Sequence, residues 1–303
     1  MSQGFATLGN VTIDDLVFDD GTTKWRTPGG NAIYSALGVA IWGHLVEVVA
    51  PIGADYPVEL LDRRVSLDRC TPVAETLRDW GLYEADGSRI FVFRRHVRDW
   101  RDYSPRLEDI RDLAARCAHL APLPWDLQLD LALGLRERGT RVIAVDPDDR
   151  KLAEVPPAQI ARLLRAVDLF LPSLQDAAAM LPEGPPADML RRLRERAPET
   201  PVVAIKLGAE GVILHERDAP DYVRIPSCAG RVVDATGAGD AFSGGALVGF
   251  ATRGTALAAG LHGSVAASFA VAAHGPDALV AATDEDVAER LNILRERVET
   301  HPL

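Results

Sequence analysis

The sequence predicts an α/β protein in which helices cover a parallel sheet and a smaller sheet stands beside the body. The first observation is a repeating alternation of predicted strands and helices, the rhythm of the chain. From residue 107 onward, short apolar strands alternate with runs that have helical spacing, which is typical of parallel sheets. The second is that extended segments at about 12–27 and 74–104 do not follow this rhythm. We therefore expect one domain spanning 1–303, with these two segments inserted as a lid.

The composition is that of a globular protein. The 303 residues are 47% hydrophobic and 25% charged, enough for a large core, and the net charge of −11 argues against a nucleic-acid partner held by phosphate contacts. The three cysteines have no metal-type spacing, and neither a secretory signal nor a membrane-spanning apolar stretch is visible. We expect a cytoplasmic protein with no membrane partner.

The N-terminal third predicts strands around one helix. FATLGNVTIDDLVF is the first strand signal and TTKWRTP is a second extended segment. NAIYSALGVAIWG predicts a helix with Ile33, Leu37 and Ile41 on one face, and LVEVVAPIG predicts a valine-rich strand. Two extended runs flank the turn at 85–88, where Asp-Gly is a hairpin signal.

The remainder alternates between helices and strands. The predicted helices are LEDIRDLAARC, WDLQLDLALGLRERG, PAQIARLLRAV, LQDAAAML and ADMLRRLRERA, and the predicted strands are RVIAVDP, DLFLP and PVVAIKLG. GVILHERD and DYVRIPS predict a local antiparallel pair, and the last third predicts three helices.

The stretch DATGAGDAF, residues 234–242, carries the clearest chemical signal. Gly237 and Gly239 let backbone amides converge, and the helix that follows favours negative charge at its start. No GxxxxGK[ST] exists, and Phe242 stands where a dinucleotide fingerprint needs its third glycine. If a phosphoryl group is transferred here, the amides stabilise its charge and Asp240 takes the proton of the attacking hydroxyl. A helix N-terminus with Asp240 as a capping acid is the alternative.

This stretch resembles the DTxGAGD signature of the ribokinase-like (PfkB) family of carbohydrate and nucleoside kinases. TPGGNAIYSALGVAIWG with VAPIGADYP resembles the family's N-terminal glycine-pair motif, and VDP, FLPSLQDA and AIKLGAEGVIL follow in the family's order. The resemblance covers nearly the whole chain. It implies a three-layer αβα Rossmann-like (ribokinase-like) fold with a small β-sheet lid. It also implies an ATP-dependent kinase that moves the γ-phosphate to a hydroxyl of a small molecule.

The resemblance also implies catalytic and sugar-binding roles. Asp240 would be the general base, and the amides of Gly237, Ala238 and Gly239 would form the anion hole. Asp14, which follows the first strand, would accept hydrogen bonds from substrate hydroxyls. Its neighbour Asp15 is the second choice, and a turn or cap acid is the alternative.

Substrate contacts are implied on both sides of the cleft. Gly29-Gly30 match the glycine pair that lets substrate approach the backbone. Tyr34 stands where the family has asparagine, which here comes early as Asn31, so the hydroxyl pattern departs from that of a ribokinase. The aromatic ring of Tyr34 could stack on a substrate ring or belong to the core. Arg94 and Arg150 are candidates for a substrate carboxylate or phosphate, with surface ion pairs as the favoured alternative.

Nucleotide contacts are implied by PSLQD and KLGAEG. Ser173 and Asp176 replace the asparagine and glutamate of the family's PNxxE, which organises water bound to Mg²⁺, so assistance by Mg²⁺ is expected with altered geometry. A capped helix start is the other interpretation, and both can hold. Gly208 and Gly211 would bring the backbone close to ATP, and Lys206 could approach a phosphate.

Three further expectations come from the resemblance. Asp234 and Thr236, with the late loop at Gly275-Pro276, match positions where many relatives bind a monovalent cation such as K⁺. The leading substrate class is a sugar or cyclic polyol; the alternatives are a nucleoside, or a non-catalytic sugar-binding sensor on the same fold. A homodimer through the lid is expected from fold analogy alone.

Overall fold

The structure is a computed structural model that describes residues 4–86, 88–94, 97 and 99–303, with the backbone alone for 149–151. The strands in this part of the chain are β1 (Phe5–Leu8), β2 (Thr12–Val17), β3 (Thr23–Gly29), β4 (Val46–Val49), β5 (Pro51–Gly53), β6 (Val65–Ser66), β7 (Thr71–Val73), β8 (Leu77–Tyr83), β9 (Arg89–Phe93), β10 (Cys117–Leu120), β11 (Val142–Val145), β12 (Leu169–Phe170), β13 (Val202–Lys206), β14 (Val212–Glu216), β15 (Asp221–Ile225) and β16 (Glu299–Pro302).

The helices pack on both sides of these strands. They are α1 (Asn31–Ala40), α2 (Trp125–Glu137), α3 (Pro157–Ala166), α4 (Leu174–Met180), α5 (Pro186–Arg196), α6 (Ala238–Arg253), α7 (Ala256–Ala270), α8 (Asp277–Val280) and α9 (Asp284–Arg295). Short 3₁₀ helices lie at Val58–Leu60, Trp100–Tyr103, Leu107–Ile110, Asp149–Glu154 and Gly208–Glu210. Among the described residues, no helix combines the length and the apolar character needed to cross a membrane.

The large sheet has the strand order β16-β15-β14-β13-β12-β11-β10-β1-β4-β6. Its strands are parallel from β6 to β13 and antiparallel from β13 to β16. One buried apolar cluster lies between the sheet and α1, α6 and α7, and a second lies between the sheet and α2, α3 and α5. Helices therefore cover both faces of the large sheet, as the short apolar strands require. This confirms the three-layer αβα fold predicted from the sequence.

The lid sheet is the four-stranded sheet with the order β3-β2-β8-β9. Strands β2 and β8 run parallel, and the other two pairs are antiparallel. Along β8, Asp79, Gly81 and Tyr83 are buried, whereas Trp80 and Leu82 are exposed. The sheet therefore turns one face towards the body and an apolar face outwards. A separate parallel pair, β5 with β7, lies beside the large sheet.

Two sequence predictions of local structure are wrong. The run FATLGNVTIDDLVF is not one strand, because the chain leaves the large sheet after Leu8 and enters the lid sheet at Thr12. The run LEDIRDLAARC forms only the 3₁₀ turn Leu107–Ile110. Leu113, Ala115 and Cys117 are all buried at a spacing of two, which is the period of an extended chain and not of a helix.

Candidate active site

The glycine-rich turn precedes α6 at the carboxyl end of the large sheet's parallel strands. Gly237 caps α6 with a φ of 73°, in the left-handed region that favours glycine. A side chain at this position would also collide with the ring of Tyr34, since a Cβ would lie 2.2 Å from the ring carbon Cγ. The buried Tyr34 ring therefore packs directly against the turn. Asp240 lies in the first turn of α6.

Two cavities meet at this turn. The lid-side cavity, of about 160 Å³, is lined by Thr12, Asp14, Gly30, Asn31, Tyr34, Asp79, Phe91, Thr236, Gly237 and Asp240. The helix-side cavity, of about 280 Å³, is lined by Ser173, Lys206, Gly208, Gly211, Ser227, Ala235, Ala238, Gly239, Phe242, Ser264 and Ala267. Asp240 thus faces the lid-side cavity, whereas Ala238 and Gly239, just before it in the chain, face the helix-side cavity. The arrangement can hold two reactants on opposite sides of one helix N-terminus.

Asp240 has an unusual affinity for its proton. Burial first, and then the negative charge of Asp146, raise the pKa of Asp240 to about 8, although Lys206 acts in the opposite direction. A carboxyl group with a pKa near neutrality can both hold and release a proton under working conditions. The side chain is therefore suited to proton transfer at the lid-side cavity.

An ion pair between Asp146 and Lys206 lies beneath the turn. Asp146 directly follows β11, Lys206 is the last residue of β13, and the Nζ of Lys206 donates to Oδ2 of Asp146. The Ser243 hydroxyl approaches the same oxygen at 3.3 Å. Burial raises the pKa of Asp146 to about 6, while Lys206 counteracts this. Asp146 was not among the predicted site residues, although VDP at the end of a parallel strand was a usable signal.

The carboxylate of Asp14 lies in the wall of the lid-side cavity. Asp14 is only 4% exposed, and the Thr12 hydroxyl donates to its Oδ1 at 2.6 Å. Gly29 makes room for this carboxylate, because a Cβ on Gly29 would lie 2.2 Å from Oδ2. Asn31 also lines the cavity, but its side chain accepts from the Asn10 amide at 2.7 Å and donates to a neighbouring loop carbonyl. Its amide thus fixes the loops around the site.

Two lid residues in this cavity were missed by the sequence reasoning. Asp79 on β8 and the half-buried Phe91 on β9 both reach the cavity from the lid sheet. Asp79 lies opposite Asp14 in the β2–β8 register. No local pattern marks either residue, because their place in the site depends on which strands pair.

Comparison with known proteins decides the family. The model of the pfkB family carbohydrate kinases matches residues 14–282. The chain belongs to this family. It is 29% identical to a cytidine kinase of Thermococcus kodakarensis, over 82% of this chain and 89% of that protein. It is 24% identical to a nucleoside kinase of Methanocaldococcus jannaschii, over 87% of this chain and 85% of that protein.

Solved structures agree with the fold of a pfkB kinase. A putative ribokinase from Agrobacterium tumefaciens superposes with a TM-score of 0.74 at 21% identity, covering 98% of this chain and 100% of the other. A nucleoside kinase from Burkholderia thailandensis in complex with inosine gives 0.70 at 18% identity, covering 96% and 98%. The protein is therefore a kinase with the ribokinase-type fold.

Arg94 does not line either cavity of this kinase. It donates from Nη1 to Oδ2 of Asp15 at 2.9 Å, and Arg78 binds the same carboxylate at 2.7 and 2.8 Å. Asp15 is fully buried, so both guanidinium groups compensate its charge within the lid sheet. The side chain of Arg150, the other predicted anion ligand, lies outside the described residues.

Ser173 and Asp176 form the start of α4 in this pfkB kinase. The Ser173 hydroxyl oxygen accepts from the Asp176 amide at 3.1 Å, and Oδ2 of Asp176 accepts from the Ser173 amide at 2.7 Å, which is a capping box. Ser173 also lines the helix-side cavity, and the charge of Asp176 raises the pKa of Asp146. Asp146 lies near Gly239, and the Asp176 charge acts on it, so two carboxylates of the kind that fit Mg²⁺ interact in this region.

The carboxylate of Asp234 is occupied by protein groups. It accepts from the Tyr83 hydroxyl at 2.6 Å, and from the Thr236 amide and hydroxyl at 2.9 and 2.7 Å. Nε of Arg89 lies 3.4 Å away as an ion-pair partner. Tyr83 and Arg89 belong to the lid strands β8 and β9. Asp234 therefore links the lid hairpin to the glycine-rich turn.

A second positively charged side chain, that of Lys24, lies at the loop around Gly275-Pro276. Nζ of Lys24 donates to the His274 carbonyl at 3.0 Å and to Asp277 at 2.6 Å. Arg89 and Lys24 thus compete with a monovalent cation for the Asp234 carboxylate and the His274 carbonyl.

Proposed function

We propose that the protein transfers the γ-phosphate of ATP to a hydroxyl of a small acceptor, with a nucleoside as the first candidate. The observation that carries this proposal is the meeting of two cavities at the turn 236–240. Asp240 faces the lid-side cavity, which would hold the acceptor, and Ala238 and Gly239 line the helix-side cavity, which would hold the nucleotide.

In this proposal, each side chain acts at a defined point. Asp240 removes the proton from the attacking hydroxyl as the bond to the γ-phosphorus forms and the bond from that phosphorus to the bridging oxygen of the departing ADP breaks. The amides at the start of α6 stabilise the charge on the transferred group, and Lys206 adds a positive charge beside them. Mg²⁺, held near Asp176 through water, would neutralise phosphate charge in the bound nucleotide.

The acceptor class is the finer part of the proposal. Phe91 and Tyr34 place aromatic rings at the lid-side cavity, where the flat base of a nucleoside can pack. The curated relatives named cytidine kinase and nucleoside kinase support the same class. A free sugar or cyclic polyol is the second candidate, because Thr12 and Asp14 offer polar contacts that need no base. Membership in a kinase family disfavours the non-catalytic sensor.

We further propose that the chain works as one cytoplasmic domain. Among the described residues, Cys70, Cys117 and Cys228 form no disulfide, which fits a reducing compartment. The lid sheet would close over the acceptor and exclude water during transfer. Its apolar outer face would pair two copies into a homodimer.

A panel of acceptors tests the proposal. The protein is incubated with Mg-ATP and, separately, with nucleosides, free sugars, inositols and sugar acids, and phosphorylated products are identified by mass spectrometry. We expect a phosphorylated nucleoside as the main product, together with a higher melting temperature in its presence, because a ligand of the native state stabilises it. Product from sugars alone would favour the second candidate, and no product from any acceptor would contradict the proposed kinase activity.

A further inference from the structure

The side chain of Lys206 reaches across the end of β12 to Asp146. Lys206 is the last residue of β13, Asp146 directly follows β11, and β12 lies between these strands in the large sheet. Nζ of Lys206 donates to Oδ2 of Asp146, and the side chains of the two residues are 12% and 5% exposed. A long, flexible side chain is thus held in one place beside the glycine-rich turn.

Asp146 is itself fixed by contacts with three elements. The Asp146 amide donates to the Leu120 carbonyl of β10 at 3.0 Å, and the Gln128 side chain of α2 donates to the Asp146 carbonyl at 2.7 Å. The Ser243 hydroxyl of α6 approaches Oδ2 of Asp146 at 3.3 Å. These contacts hold the carboxyl group in a defined position, and the ion pair transfers that order to the Lys206 ammonium group.

The Lys206 ammonium group has hydrogen-bond donors to spare. A lysine ammonium carries three N–H donors, and among the described residues Nζ of Lys206 has one acceptor, Oδ2 of Asp146. Nζ also lies close to the backbone of Gly239, since a Cβ at that position would be 3.3 Å from it. Lys206 and Gly239 both line the helix-side cavity. The spare donors can therefore meet an anion that is bound at the Gly239 amide.

We propose that Asp146 is a positioning residue that holds the Lys206 ammonium group against the γ-phosphoryl group during transfer. The inference rests on the proposed phosphotransfer. As the γ-phosphorus gains its bond to the acceptor oxygen and loses its bond to the bridging oxygen of ADP, the acceptor's proton passes to Asp240. The negative charge on the transferred oxygens then meets an ammonium group that is already in place beside the Gly239 amide, so no rearrangement is needed at the moment of reaction.

Nucleotide binding tests the inference without turnover. Calorimetry gives the dissociation constants of Mg-ADP and of the magnesium complex of AMP-PNP, an ATP analogue that cannot transfer its γ-phosphoryl group. Asp146→Asn should weaken the analogue at least about 10-fold and ADP less than about threefold, because the amide no longer holds the ammonium group by charge. Unchanged or tighter binding of the analogue would overturn the inference, since Asp146 would then only compete with phosphate for Lys206. A wild-type protein that binds neither nucleotide would contradict the proposed phosphotransfer itself.

A double-mutant cycle tests whether Asp146 acts through Lys206. Lys206→Met should lower kcat about 100-fold and Asp146→Asn at least about 10-fold, each with the KM for the acceptor within about threefold of wild type. The double variant should lose less than about threefold beyond Lys206→Met, because Asp146 then has nothing to position. Losses that multiply in the double variant would overturn the inference, since Asp146 would then act independently of Lys206.

Asp168→Asn is the matched control for an aspartate in an ion pair. Asp168 pairs with Arg136 and accepts from the Ile143 amide at 2.7 Å, at the opposite end of the same strands. We expect this variant to keep kcat within about twofold of wild type even where its melting temperature falls. An equal loss of kcat in Asp168→Asn, or a wild-type kcat in a folded Asp146→Asn protein, would contradict the positioning role.

Discussion

At the scale of the residue, the chemistry depends on how the environment of each carboxyl group sets its proton affinity. Asp240 and Asp79 have raised pKa values, of about 8 and about 9, and burial is the first cause of both. Asp15 is as inaccessible as either, but hydrogen bonds from Arg78 and from the Arg26 amide lower its pKa. An aspartate side chain thus keeps its proton at neutral pH or stays a fixed anion, depending on its neighbours.

The pKa of Asp240 predicts a pH dependence. A general base must be deprotonated, so kcat/KM should rise with pH and level off above about 8, which is the pKa of the Asp240 carboxyl group in the free enzyme. Below that value, the rate should fall about tenfold per pH unit, because the fraction of the reactive form falls by that factor. Initial rates at subsaturating acceptor from pH 5.5 to 9.5 measure this profile. A rate independent of pH between 6 and 8 would contradict the assignment of Asp240 as the base.

The site residues chosen from the sequence belong to local patterns. The turn around Asp240 could be recognised because its glycines, helix start and acid follow one another along the chain. The same holds for Ser173 and Asp176, whose helix cap is local. Asp79 could not be found in this way, because it depends on the pairing of β2 with β8, a contact between residues far apart in sequence.

At the scale of the element, side chains link the lid strands to the glycine-rich turn. Tyr83 and Arg89 reach Asp234, two residues before Thr236. Lys24, on β3, reaches the loop at His274. These contacts connect the lid sheet to the segment that positions Asp240. The extended segments of the lid were predictable from the sequence, but these contacts were not, since they join three separate parts of the chain.

The same contacts predict that activity does not require K⁺. Arg89 and Lys24 already neutralise the oxygens that a monovalent cation would bind, so rates in choline chloride should remain within about twofold of those in KCl at equal ionic strength, and the melting temperature should be the same in both salts. Assays in KCl, NaCl and choline chloride measure this. A tenfold loss of activity in choline chloride, or a K⁺-specific rise in melting temperature, would show that a cation site exists.

At the scale of the whole molecule, the lid sheet presents an apolar outer face. Trp80 lies opposite Val92, and Leu82 lies opposite Ile90, and all four side chains are exposed. Exposed apolar patches of this kind mark interaction surfaces, and the outer face of a lid is free to meet a second copy of the chain.

We expect the protein to be a homodimer that associates through this face. Ile90→Asp should weaken association by at least about 10-fold, because it places a charge among apolar side chains at the interface. Size-exclusion chromatography with light scattering measures the mass of wild type and variant, and Ile293→Asp, at another exposed apolar residue, is the control. A wild-type protein that remains monomeric at micromolar concentration would contradict the dimer.

The most direct test of the account compares the turnover of Asp240→Asn with that of wild type. The assay follows acceptor-dependent release of ADP from Mg-ATP, using the best acceptor of the panel, and Glu289→Gln, an exposed residue of α9, serves as the control. We predict that Asp240→Asn lowers kcat by at least about 100-fold, because the hydroxyl loses its base, while Glu289→Gln leaves kcat unchanged. Turnover by a folded Asp240→Asn protein at the wild-type rate would contradict the account.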